Sequence, residues 1–314
     1  MHERILLESN TKVEQAGRWL ERFIATRSLE LSRNDLCVAF LGISCAIRAL
    51  GNGSAAKDFL DVAQRLVTTL LERCTFFQER SANDLIDDPV TWLLSAVYAA
   101  PDSAETNAYR RMVQEKWHAL EGQGTSTTSL HLTSTCKLLS MLLKGESELG
   151  DISFPSASAF VRPFSYYLAD TVEIQEALTT LTILTVFGRR APQLAEPELE
   201  FVQKALPFWT FYFIKERDLD NVCPLARTLK HLGLEALPEF TEAIRYILRQ
   251  SREDGSFGIY DMSYKYTSSE PVDVERQVRL PLTVGSLWTL LECLHDSGSP
   301  LHHPSAYSHA IGEH

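Results

Sequence analysis

The sequence predicts an all-α fold, an (α/α)6 toroid of about six helical hairpins closed into an inner and an outer ring of helices. Three observations carry that prediction. Apolar residues recur at helical spacing in about twelve segments, and nowhere is there strand-like alternation flanked by hairpin turns. Turn-forming residues separate the segments: Gly51-Asn52-Gly53, Pro101-Asp102-Ser103, Gly122-Gln123-Gly124, Gly188, Gly233 and Asp254-Gly255. Finally, the segments alternate between two compositions, as the two rings require.

In chain order they run at roughly 12–26, 35–50, 57–74, 88–99, 105–120, 129–143, 156–169, 173–187, 196–215, 219–232, 238–250 and 280–295. Those at 57–74, 105–120, 196–215 and 238–250 are amphipathic. Charges recur along one face, as in Tyr109-Arg110-Arg111-Met112-Val113-Gln114-Glu115-Lys116-Trp117, which suits a helix with one side in water. The segments at 35–50, 88–99, 129–143, 173–187, 219–232 and 280–295 are poorer in acids and richer in Thr, Ser, Cys, Ala and Leu. A helix buried on most sides has that composition. These six inner segments begin about 41 to 61 residues apart, a two-helix repeat, whereas an open superhelix of stacked hairpins has a shorter and more regular period.

Residues 1–296 form a single domain on this reading, and 297–314 are a mobile tail whose His302 and His303 are solvated. Two connections are long. Gly145 to Pro155 is acidic, and Gly255 to Arg279, with Tyr260, Tyr264 and Tyr266, has the length and aromatic content of a lid.

At 314 residues with a net charge of −11, the chain has core material for one large helical unit and lacks the basic stripe of nucleic-acid or anionic-membrane binding. Its six cysteines lie far apart with no Cys-x-x-Cys pair, so no disulfide framework or zinc site is implied. The first ten residues are mixed and charged, unlike a signal peptide. The longest apolar runs, such as residues 178–187, are too short to span a bilayer, and a cytoplasmic protein is the expectation.

The run Arg249-Gln250-Ser251-Arg252-Glu253-Asp254-Gly255-Ser256-Phe257-Gly258 ends one helical segment ahead of the next. A Gln, an acidic spacer and Gly-Ser-aromatic-Gly resemble the Gln-Trp repeat of the α/α-toroid proteins, the terpenoid cyclases and protein prenyltransferases. The resemblance implies that Gln250 ties backbone groups of the next helix start while the glycines allow a tight turn.

In a ring of this kind the inner-helix N-termini surround a cavity and present unpaired N–H groups and a positive dipole end. Their first turns supply the candidate residues: Asp35; Asp87 and Asp88 before Pro89; His131; Glu173; Asp218, Asp220 and Asn221; and Arg276 with Arg279 before Pro281. Two accounts stand side by side. Each acid caps its own helix, or the set shares one cavity in which crowded carboxylates raise one another's pKa and the arginines hold an anion. For Arg276 and Arg279, pairing with Asp273 or Glu275 is the structural alternative. Asp218-Leu219-Asp220-Asn221 resembles the Asp-x-Asp-Asp motif of class II terpenoid cyclases, which implies that Asp220 is the proton donor; Asn221 stands where that motif has its last Asp. Trp209, Phe211, Tyr212 and Phe213 cluster on one segment, where successive positions point in different directions and suit packing. His231, after Lys230 at a helix end, suits a structural role beside the dipole.

The expected catalytic residues are Asp220, Asp218, Asp88 and Asp87, with His131, Glu173, Asp35, Asn221, Arg276 and Arg279 binding substrate. The expected function is a small-molecule biosynthetic enzyme, a metal-independent lyase or cyclase without a cofactor. It would use acid–base catalysis in a central acidic cavity for a cyclisation or elimination. The alternatives are a class II terpenoid cyclase-like protein and a non-catalytic helical-hairpin subunit that binds a partner protein or a ligand. A homo-oligomer is compatible with each.

Overall fold

The computed structural model describes residues 2–27, 35, 38, 104, 107, 111, 166–185, 192, 194–258 and 275–294. These are helical apart from short turns, with no strand among them and one isolated bridge between Ser251 and Phe257. Six α-helices are described: α1 (His2–Arg27), α2 (Thr171–Leu184), α3 (Glu196–Lys215), α4 (Leu219–His231), α5 (Pro238–Arg249) and α6 (Leu280–Leu294). The expected segments at 57–74, 88–99 and 129–143 lie outside the described residues, as do Tyr260, Tyr264, Tyr266 and the tail. Residues 35, 38, 107 and 111 are helical, as expected for their segments, and so is residue 104, one position before the expected 105–120 segment.

Helix α1 begins ten residues before the expected 12–26 segment. Its buried stripe, Val13, Ala16, Trp19, Leu20, Phe23 and Ile24, follows the i, i+3, i+4, i+7 spacing of one helix face. Trp19 and Phe23 stack at 5.0 Å within it. The helix expected to run to residue 169 does not: residues 166–169 form a turn. The indole N–H of Trp209 holds that turn by donating to the Tyr166 carbonyl at 2.9 Å.

Helices α3 and α5 bury one stripe each, whereas α4 and α6 are buried around most of their circumference. That is the contrast the composition predicted for these four, whereas α2, expected among the buried helices, exposes Thr171, Val172, Glu173, Gln175, Glu176 and Thr179 and buries a single stripe. The threonines of the segments expected in the inner ring satisfy their hydroxyls locally. Thr180, Thr182 and Thr185 of the α2 segment, Thr228 of α4 and Thr289 of α6 each donate to the carbonyl four residues back, at 2.7–2.9 Å. Helix α4 lies at the centre of the described part, touching α2, α3, α5 and α6, while α1 packs on α5 and α6.

Two helix ends show why their neighbours turn where they do. After α3, Asp218 N–H donates to the Phe213 carbonyl at 2.9 Å and Arg217 N–H to Ile214 at 3.2 Å, a Schellman closure. Arg217 occupies the left-handed position with φ 57°, where glycine is usual. The same closure after α4 uses Gly233, whose N–H reaches the Lys230 carbonyl while Leu234 N–H reaches Leu229.

The segment at 250–258 is a tight, docked turn. Gly258 N–H donates to the Gln250 backbone carbonyl at 3.2 Å, and Arg252 N–H to Ser256 at 2.8 Å. The fully buried Phe257 gives its N–H to the Thr283 hydroxyl on α6 at 2.9 Å. The next helix is therefore tied through Phe257 and Thr283, where the motif implied the Gln250 side chain. Arg22 of α1 donates to the Asp254 carbonyl at 3.0 Å, and Gly255 rests on the backbone of Gln15.

The expected connection to residue 279 is also shorter than predicted. Glu275–Arg279 form a π-helical turn leading directly into α6. Pro281 has no N–H to return to the preceding turn, and a widened turn accommodates that loss.

Candidate functional site

Helix α4 carries Asp220, Cys223, Arg227 and His231 at spacings of three to four residues, which places them along one stripe. Its first turn is organised by two neighbouring acids with different fates. Asp218 is the N-cap. Its carboxylate accepts from the Asn221 N–H at 3.2 Å and from the Asn221 side-chain amide at 2.9 Å. The Asn221 side-chain oxygen then accepts from Gln175 of α2 at 3.1 Å, joining the two helix starts. Asn221, at the last position of the Asp-x-Asp-Asp-like run, is thus a buried linker between cap and neighbour.

Asp220, one turn-position further on, has no hydrogen bond or ion pair among the described residues. It reaches solvent, yet the helices around it remove enough water, with the Asp218 carboxylate adding repulsion, to raise its pKa; Arg227 opposes the shift. A carboxyl with its oxygens uncommitted and its pKa raised is better placed to give or take a proton.

Below Asp220 the stripe meets α6 in a buried polar seam. The Arg227 guanidinium lies 3.9 Å from the Trp288 ring centroid, donates to the Thr289 hydroxyl at 2.7 Å and to the Gly285 carbonyl at 3.3 Å, and stands 4.0 Å from Glu292. His231 Nε2 is 3.3 Å from the same Glu292 carboxylate. Burial alone would push Glu292 up, but His231, Arg227 and a hydrogen bond from Trp288 outweigh it and hold the carboxyl below its ordinary value. Cys223 faces Ser286 at 3.7 Å, and burial pushes its thiol up to about 11, so it is a packing residue rather than a nucleophile.

From α5, Tyr246 reaches the same end of α4. Burial, then the Asp218 carboxylate, push its phenol well above the usual range, against a smaller opposing influence from Arg217. Its hydroxyl is buried and finds no hydrogen-bond partner among the described residues.

The remaining expected site residues fall in three groups. Asp87, Asp88 and His131 lie outside the described residues. Glu173 is exposed and sits in a reciprocal capping box: its carboxylate accepts from the Asp170 N–H at 3.1 Å while Asp170 accepts from the Glu173 N–H at 2.9 Å. Arg276 pairs with Asp35 at 3.4 Å, and Arg279 with Asp254 at 3.7 Å. The two arginines therefore take ion partners in Asp35 and Asp254, while Asp273 lies outside the described residues. The Asp35 pair brings two expected rim residues together from sites far apart in the chain.

Tyr246, Gln175, Arg227 and Glu292 were not among the expected site residues. The polar spacing of 220, 227 and 231 within an otherwise apolar segment was a readable signal for Arg227. Tyr246 gave none, because a tyrosine on the apolar face of an outer helix reads as core. Among the described residues no three His, Cys, Asp or Glu side chains gather as a metal site, and no helix is long and apolar enough to cross a membrane. No protein-family model, curated protein or solved structure matches the chain.

Proposed function

We propose that the chain is an α/α-toroid enzyme of small-molecule biosynthesis, and that Asp220 is its general acid or base in a cyclisation or elimination. The observation that carries this reading is the division of labour between the paired acids. Asp218 is consumed by the cap, while Asp220 stays uncommitted beside it with its pKa raised by burial and by the Asp218 charge. Arg227, a cation within electrostatic reach, steadies the anion when Asp220 has given up its proton. The toroid itself is supported by neighbour relations. Helix α2 touches α4 and α4 touches α6, and α1, from the start of the chain, packs on α5 and α6 near its end.

The test is turnover of a metabolite extract from the source organism, followed by mass spectrometry with wild type, Asp220→Asn and Asp218→Asn. A species consumed by wild type and by Asp218→Asn, but left intact by Asp220→Asn, is the expected result. Equal consumption by the Asp220 variant removes that residue from the chemistry.

A second reading, a non-catalytic subunit that binds a partner protein, is favoured by one specific feature. Leu168, 81% exposed, and Tyr167, 61% exposed, stand near the exposed Val172, and Tyr167 meets Phe208 on α3, the helix that also exposes Phe211 and Tyr212. A stoichiometric protein partner recovered from the extract, with no metabolite change, selects this reading over the first.

A further inference from the structure

Among the described residues, six large apolar side chains are strongly exposed, and five of them come from one turn and the two helices beside it. Tyr167 and Leu168 belong to the turn before α2, Val172 to the first turn of α2, and Phe211 and Tyr212 to α3; the sixth, Leu7, is on α1. Turn and helix touch directly, since Tyr167 meets Phe208 edge-to-face at 4.8 Å. Phe208, Phe211 and Tyr212 follow the i, i+3, i+4 spacing of one face of α3. The Tyr167 hydroxyl is already paired with that of Tyr166 at 2.6 Å, so this residue presents its ring. Other exposed positions of α3 are charged, as at Glu200 and Lys204, which is what a water-facing helix requires. An aromatic stripe in their place marks a contact surface.

The extent and the edges of this surface say what covers it. With 46–81% of each exposed, the five side chains show on the order of 600 Å2 to water, most of the roughly 800 Å2 that one partner brings to a stable interface. The edges differ in sign. On the α2 side stand Asp170, Glu173 and Glu176, all exposed, with Glu176 one turn beyond Val172 on the same face. On the α3 side Lys215 continues the stripe, its ammonium 5.2 Å from the Phe211 ring centroid. Glu216 and Arg217 follow, both exposed and opposite in charge. A uniformly acidic or basic partner would meet repulsion along one edge. A second copy turned about a two-fold axis meets attraction along both, because the rotation lays each acidic edge against the other copy's lysine.

We infer that this face is a two-fold homodimer interface, with the Tyr167–Leu168 turn and the Phe211–Tyr212 stripe as its apolar core and Glu176 facing Lys215 at its rim. It seats a second copy on the face that the second reading gives to a partner protein, and it is independent of the role proposed for Asp220. The charge of −11 on each copy opposes association at long range, so the dimer forms where salt screens that repulsion; at about 0.15 M the screening length is about 8 Å.

Sedimentation velocity of the full chain over a concentration series at that ionic strength is the test. Wild type is expected to dimerise with a micromolar dissociation constant. Leu168→Glu and Phe211→Ala, at exposed positions on separate elements, should each weaken the dimer about thirtyfold, while Leu7→Glu should leave it unchanged. Circular dichroism checks that each variant keeps the wild-type helicity. Lys215→Glu and Glu176→Lys should each weaken the dimer about tenfold, since the two-fold axis repeats every rim pair, and the chain carrying both changes should recover wild-type affinity. The inference is overturned if wild type stays monomeric at about 100 μM or captures an unrelated protein as a monomer. It is equally overturned by a dimer that Leu168→Glu and Phe211→Ala leave intact, by one that Leu7→Glu weakens as much, or by no recovery in the double variant.

Discussion

Gly255 and Gly233 both hold positive φ, 93° and 71°, yet substituting them tests different forces. A Cβ at Gly233 meets nothing within 4 Å, so Gly233→Ala should cost only the left-handed backbone penalty, about 1–2 kcal/mol. A Cβ at Gly255 would overlap the Gln15 carbonyl of α1, and Gly255→Ala should cost clearly more. Urea midpoints of the two variants separate backbone strain from the lost fit between turn and helix. At the start of α4 the two acids should behave oppositely. Asp218→Ala removes a cap and should destabilise by about 1 kcal/mol. Asp220 has a raised folded pKa, so its contribution to stability is complete below the ordinary carboxylate value and is lost as pH rises through the folded value. Asp220→Asn should therefore be more stable than wild type at neutral pH, an advantage that vanishes in acid; thermal melts across that range check it. The sequence made Asp218, Asp220 and Asn221 visible because helix starts are chemically marked. It could not tell cap from free acid, since that depends on which carboxylate turns toward Asn221.

At the scale of elements, the boundaries of α2 through α6 fell within a few residues of the helical spacing, because Gly233, Asp218, Pro238 and Asp254-Gly255 are local stop and start signals. The start of α1, the turn at 166–169 and the π turn before α6 were not legible. Each depends on a contact or accommodation in the folded chain, such as the bond from Trp209 to Tyr166. The seam between α4 and α6 was hidden for the same reason: His231 and Glu292 are 61 residues apart and meet only when the helices pack. Removing one member of a buried pair leaves the rest uncompensated, so Glu292→Ala should destabilise by about 3–5 kcal/mol. The pH dependence carries its own sign. Glu292 is held below its ordinary pKa, so its stabilisation is present above that ordinary value and lost as pH falls through the lower folded one. Glu292→Gln should flatten this acid limb in a pH series of denaturation midpoints.

For the whole molecule, the informative relation is α1 lying against α5, α6 and the 250–258 turn. If the ends of the chain close on one another, loosening α1 must loosen α6. Trp19→Ala, expected to cost about 3–5 kcal/mol, should speed hydrogen exchange in α6 as much as in α1; exchange confined to α1 would speak for an open array. The back-bonded threonines have a bearing on any substrate. Thr180, Thr185 and Thr228 look polar in the sequence, but each hydroxyl donates to a carbonyl of its own helix. What such residues leave for their neighbours is chiefly methyl, so the helices beside Asp220 are closer to hydrocarbon than their composition suggests. Asp220 therefore stands where water meets a wall with fewer hydrogen-bonding partners than its sequence suggests, which raises the cost of its charge.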